Sequence, residues 1–199
     1  MNTTWLEKKH LPNILTILRI VLTFIFIIFV FLKGLTPRII AFILFGLASL
    51  TDMYDGKIAR KYNLISDFGK FMDPIADKIL VLGAFLTFVQ LQLIPAWMVI
   101  VIILRESFIT GFRLIALRQG KVLAAMDAGK YKTVSQMVTI FIILIFLIFK
   151  EVMLTRSSWN ANMEFYSFAS IMILMSITLA LTVISGVSFA LRNKNLLKI

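Results

Sequence analysis

Four aspartates, Asp52, Asp55, Asp73 and Asp77, are the residues of this chain best placed to do chemistry. They lie in the stretch SLTDMYDGKIARKYNLISDFGKFMDPIAD, residues 49–77. Asp52, Asp55, Gly56, Ala59 and Arg60 follow one another at steps of three, one, three and one, which traces a single face of an α-helix. Gly69, Asp73 and Asp77 recur every fourth residue, again one face. The connection between the two segments is short, so their helices should pair antiparallel and bring four carboxylates together. Unaided, four like charges in a low-dielectric site would hold protons rather than charge. Hard divalent cations resolve that conflict, because carboxylate oxygens suit Mg²⁺ or Mn²⁺. Two such cations would neutralise the aspartates and leave open positions for phosphate oxygens, as in two-metal phosphoryl transfer.

The neighbouring residues fit that chemistry. Gly56 lets a ligand approach the backbone closely, and Ala59 keeps the same face shallow. Arg60 can bind a phosphate or pyrophosphate through its planar donors. Gly69 is small where the two helices should be nearest. Asp67 lies off the shared face and reads as a solvated residue. Asp55 and Asp77 could instead form structural ion pairs with Arg60 and Lys78, which leaves Asp52 and Asp73 unexplained.

The elements that position these groups follow from composition. Of 199 residues 60% are hydrophobic and only 16% charged, against about 45–50% and about 25% in a soluble domain. The apolar excess is more than one globular core can hide. There is no cysteine, which excludes disulfides, thiolate metal sites and a cysteine nucleophile. The net charge of +11 suits positively charged cytoplasmic loops better than nucleic-acid binding, for which the chain has too little exposed polar surface.

A membrane-crossing helix needs about 20 predominantly apolar residues. Six segments qualify: Asn13 to Leu32, Pro37 to about Lys61, about Gly69 up to the Pro95 divide, Pro95 to about Leu117, Thr133 to Phe149, and Phe165 to Leu191. The expected fold is an all-α integral membrane protein with six transmembrane helices in one domain, residues 1–199. Trp5, Leu6 and Leu11 among Glu7, Lys8, Lys9 and His10 suit a short N-terminal interfacial helix. His10, the sole histidine, reads as an interfacial residue without chemistry. Lys8, Lys9, the clusters 57–70 and 113–132, and Arg192, Lys194 and Lys198 fall on one side. Only Lys33, Arg38, Lys150 and Arg156 fall on the other, which puts both termini and the aspartates at the cytoplasmic face. Arg19 lies within the first span, where its side chain can snorkel to the headgroups. Six helices do not by themselves choose between enzyme, ion or proton transporter and scaffold. Acids gathered towards one side speak against an ion path.

The spacing D52-x-x-D55-G56-x-x-A59-R60-x8-G69-x-x-x-D73-x-x-x-D77 resembles the signature of the CDP-alcohol phosphotransferases at all eight fixed positions. The resemblance implies a six-helix fold, usually a homodimer, with two divalent metals; the composition suits a cell (plasma) membrane. It also implies transfer of a phosphatidyl group from CDP-diacylglycerol to an alcohol, releasing CMP. Metal binding would fall on Asp52, Asp55, Asp73 and Asp77, with Asp73 and Asp77 at the catalytic step and Asp77 as general base. CDP-diacylglycerol would meet Gly56, Ala59, Arg60 and Gly69, with Asn13 and Thr16 as weaker candidates for the cytidine.

The segments P12-N13-I-L-T16-I-L-R19, R105-E106 and G129-K130-Y-K132-T133 are similar to members that use glycerol 3-phosphate as acceptor. Acceptors of the cardiolipin, inositol-phosphate or serine type are the alternatives. Arg105, Arg113, Arg118, Lys130 and Lys132 form a basic group suited to a phosphomonoester. Glu106 reads as a partner for Arg105, and Asp127 is an acid out of place beside such a group.

Overall fold

The computed structural model describes residues 3–62, 67–118 and 127–193, with side chains for 14–51, 75–116 and 129–193. The described residues form six helices and no strand. They are α1 (Thr3–Phe31), α2 (Leu35–Tyr62), α3 (Asp67–Gln90), α4 (Ala96–Arg118), α5 (Asp127–Thr155) and α6 (Ala161–Arg192). Pro95 separates α3 from α4 as its missing donor and fixed φ require. The expected separate interfacial helix is a correction: the segment around Glu7, Lys8 and Lys9 is the start of α1, which continues unbroken through Pro12. Extending an existing helix avoids the unfavourable nucleation step, so a polar segment of good helix formers joins the apolar helix that follows.

Two compact units make up the chain, Met1–Thr87 with Leu144–Ser158, and Phe88–Ile143 with Trp159–Ile199. In the first, α1 packs along α2, and the Phe26 and Phe45 rings meet at 5.4 Å between centroids. The α1–α2 turn passes through Gly34 at φ +107°, a conformation that suits glycine. Just beyond it, the buried Arg38 donates to the carbonyl of Val30 near the end of α1 and lies 3.5 Å from Glu151 Oε1. In the second unit α4 packs on α6, and a 2.7 Å hydrogen bond joins Thr139 to Thr178. Asn160 caps α6 by accepting from the Met163 N–H.

The patterning of α1 is inverted relative to a soluble helix. Thr16, Arg19, Thr23, Phe26 and Val30 are buried, while Ile14, Ile17, Val21, Phe24 and Ile28 are exposed. Each set advances by alternating steps of three and four, so the helix turns a stripe containing three polar residues inward and an apolar stripe outward. Helix α6 does the same, burying Thr178, Thr182 and Ser185 and exposing Ile173, Ile177, Ile184 and Val187. Contiguous apolar surface of this kind marks a lipid-facing protein. Among the described residues, Ile14–Phe31, Gly129–Thr155 and Ala161–Arg192 are long and apolar enough to cross a membrane, with Leu35–Thr51 a shorter apolar run. Helices α2, α3 and α4 carry the charged residues singled out above, which lowers their hydropathy.

Helices α1 and α3 meet where Gly83 leaves room. A Cβ there would lie 3.3 Å from Ile27 Cδ1 and 3.6 Å from Thr23 Cγ2. Gly83→Ala should change stability little, because the flexible tip of Ile27 can yield and losing a helical glycine returns about 0.5–1 kcal/mol. Gly83→Val adds branches that must push the helices apart, an overpacking cost of about 1–3 kcal/mol. Thermal unfolding of the detergent-solubilised protein checks the difference between the two variants.

Candidate active site

On the backbone, Asp52 and Asp55 lie in the second half of α2, and Asp73 and Asp77 lie in the first half of α3. Both sets are thus on helices, as the spacing requires. Asp77 is the one aspartate of the four whose side chain is among those described. Its Oδ1 accepts from Nη1 of Arg19 on α1. The Arg19 side chain is wholly buried, whereas that of Asp77 is 49% exposed. The snorkelling expected of Arg19 is therefore corrected: the guanidinium turns inward, where Asp77 supplies its counter-charge. A buried guanidinium requires such a partner, since an isolated charge in a low-dielectric interior costs several kcal/mol. The close approach at Gly83 brings α1 near enough to α3 for this contact, and Thr23 donates to the Arg19 carbonyl at 2.7 Å.

Beside this pair an apolar groove of about 390 Å³ runs along α1 and α3, lined by Phe24, Ile27, Ile75, Ile79, Leu82 and the stem of Lys78, among others. Thr16, a candidate for the nucleotide, is buried on the Arg19 face of α1. The assignments to Asn13, Asp52, Asp55, Gly56, Ala59, Arg60, Gly69, Asp73 and Arg118 rest on side chains outside the described residues. Among the described side chains no cluster of three or more acids or histidines is present.

The second unit holds a different constellation. Arg105 Nη1 donates to Glu106 Oε1 at 3.0 Å, its Nη2 to Ser185 Oγ at 2.7 Å, and Lys132 Nζ donates to the same Glu106 oxygen. Gly186 makes room for the arginine, since a Cβ there would lie 3.1 Å from Arg105 Cγ. Two of the five basic residues named from sequence are thus gathered by one carboxylate, and the trio carries a net charge of one positive unit. Glu106 is more than the partner of Arg105 that sequence indicates; it joins α4 to α5. Arg113 takes another position, with Cζ 5.8 Å from the Phe189 ring centroid, and Lys130 is exposed.

Glu106→Gln should destabilise the protein by an amount near the lower end of the about 3–5 kcal/mol lost when a buried pair loses one partner. It removes the anion that two largely buried cations share. A fall in the thermal transition, recovered in part by Glu106→Asp, is the expected result.

A family model for the CDP-alcohol phosphatidyltransferases matches residues 9–187. The chain belongs to the CDP-alcohol phosphatidyltransferase family. It is 38% identical over 201 residues to a Bacillus subtilis (strain 168) CDP-diacylglycerol–glycerol-3-phosphate 3-phosphatidyltransferase, covering 95% of this chain and 97% of the relative. A Mycobacterium tuberculosis probable phosphatidylglycerophosphate synthase is 40% identical over 134 residues, 66% of this chain and 64% of its own length. A Mycoplasma pneumoniae CDP-diacylglycerol–glycerol-3-phosphate 3-phosphatidyltransferase is 34% identical over 155 residues, 69% and 67% of the two chains.

For a CDP-alcohol phosphatidyltransferase the donor set on α2 and α3 fits a divalent metal in its chemistry. It consists of carboxylates alone, at helical spacing, and the described member is half exposed rather than sealed. Arg19 is the residue of this site for which sequence reasoning offered snorkelling and no partner. Its signal was present: Thr16, Arg19 and Thr23 make a polar stripe at steps of three and four within an apolar helix, and such a stripe faces protein, not lipid.

Proposed function

We propose that this protein transfers the phosphatidyl group of CDP-diacylglycerol to sn-glycerol 3-phosphate, giving phosphatidylglycerol phosphate and CMP, in anionic phospholipid synthesis. The observation that carries this is the complete eight-position aspartate signature on α2 and α3, in a chain similar along 95% of its length to a relative of that name. In this reading six helices cross the plasma membrane, both termini and the site face the cytoplasm, and the protein is a homodimer.

Asp52, Asp55, Asp73 and Asp77 would hold two divalent cations, Mg²⁺ or Mn²⁺, whose chemistry is to neutralise phosphate charge and align the reacting oxygens. Arg60 offsets the remaining charge of the pyrophosphate. Asp77 takes the proton from the primary hydroxyl of the acceptor as its oxygen attacks the β-phosphorus. The bond from that phosphorus to the CMP oxygen breaks, and CMP departs. Arg105, Arg113, Arg118, Lys130 and Lys132 hold the acceptor's phosphate, the two gathered by Glu106 contributing through the trio's residual positive charge. The apolar groove along α1 and α3 supports a lipid substrate approached from the leaflet, with its acyl chains left in apolar surroundings.

The experiment offers purified protein CDP-diacylglycerol with glycerol 3-phosphate, phosphatidylglycerol, inositol phosphate or serine, and identifies the lipid formed. Phosphatidylglycerol phosphate as the main product supports the reading. A product from another alcohol moves the protein elsewhere in the family, and ion flux without any lipid product would replace the enzymatic reading by transport.

A further inference from the structure

The geometry points to Arg19 as a positioning residue for Asp77, holding one edge of that carboxylate while acting as a built-in positive charge next to the cation site. Three observations carry it. The Arg19 side chain is wholly buried, although it lies in a helix whose outward face is apolar. Its Nη1 meets Asp77 Oδ1 across two helices, the two residues lying fifty-eight positions apart in sequence. Side chains of α1 reach the backbone of α3 at Gly83, where a Cβ would lie 3.3 Å from Ile27 Cδ1 and 3.6 Å from Thr23 Cγ2.

A guanidinium is always charged and planar, so it restrains a carboxylate in angle as well as in distance. A carboxylate has about four lone-pair sites, and Arg19 engages one of them at Oδ1. The rotamer of Asp77 is thereby set from α1 rather than left to solvent, which matters for a half-exposed side chain that must meet a substrate hydroxyl in one orientation. Charge gives Arg19 a second consequence. Four aspartates and two divalent cations sum to zero. Arg19 makes the loaded site positive, which favours an anionic pyrophosphate and opposes tight cation binding.

The inference rests on the proposed assignment of Asp77 as base and metal ligand, and it is tested with full-length protein in detergent. Arg19→Gln should lower kcat by about 10²-fold, the scale of a displaced catalytic group. The same variant should bind Mn²⁺, measured by the electron paramagnetic resonance of the free ion, about 3–10-fold more tightly than wild type, because a neighbouring positive charge is gone. Arg19→Lys, which keeps the charge without the fork, should return Mn²⁺ affinity to the wild-type value and kcat only in part. In an Asp77→Asn background Arg19→Gln should lose its effect on kcat, as coupled residues do, and keep its effect on Mn²⁺ affinity.

A wild-type kcat in Arg19→Gln overturns the positioning role. So does joint loss of Mn²⁺ binding and of the unfolding transition, which would make Arg19 a fold determinant only. If wild-type protein forms no lipid product from any alcohol, the functional reading fails, while the Mn²⁺ arms still decide whether the charge of Arg19 acts on the cation site.

Discussion

Asp77→Asn should lower kcat by about 10²–10⁴-fold, the range supplied by a positioned general base. The substitution is nearly isosteric, and an amide oxygen can still accept from Arg19, but it cannot take the acceptor's proton. Stability should fall as well, because the buried Arg19 loses the negative charge of Asp77. For a wholly buried pair, removing one partner costs about 3–5 kcal/mol. Water screens the exposed half of Asp77, which brings the expected loss to about 1–2 kcal/mol. The two effects separate in Asp77→Glu, which restores an anion for Arg19 but moves the oxygens by a methylene. Glutamate should recover most of the unfolding temperature and little of the rate. Steady-state turnover and thermal unfolding on the same preparations check both, and wild-type turnover in Asp77→Asn would remove the base assignment.

That double consequence depends on a contact which the sequence pattern left open. Helix identity was legible because apolar runs of membrane length and a single proline, Pro95, leave few ways to divide the chain; the ends of α3 and α4 fall on either side of it. The placement of the aspartates on helices was legible because helical spacing is local. Partners from distant segments were not legible. Nothing near Asp77 in sequence names Arg19, and Lys78 is the nearer candidate by position. The Arg19 contact arises from the packing of α1 on α3, a tertiary property.

Glu106 shows the same limit. Its neighbour Arg105 was evident, but Lys132 arrives from α5, so the carboxylate's work in joining two helices emerges only on folding. The merged N-terminal helix has another cause. Composition separates an interfacial segment from a membrane span, yet the backbone bonds that continue a helix are indifferent to that boundary.

Removing divalent metal should have the other large effect: EDTA abolishes turnover, and Mg²⁺ or Mn²⁺ restores it. Carboxylates are hard oxygen ligands, and clustered on two neighbouring helices they repel one another unless cations intervene. Arg19 offers an internal counter-charge at Asp77. Chelation should therefore lower the unfolding temperature without unfolding the protein, and activity should return on adding the ion. Substituting Asn at Asp52, Asp55 or Asp73 should weaken Mn²⁺ binding and shrink the thermal shift that Mn²⁺ produces, by linkage between binding and folding. Turnover unaffected by EDTA, or a Mn²⁺ response unchanged in all three variants, would mean that the aspartates hold together without a metal and that their spacing serves some other end.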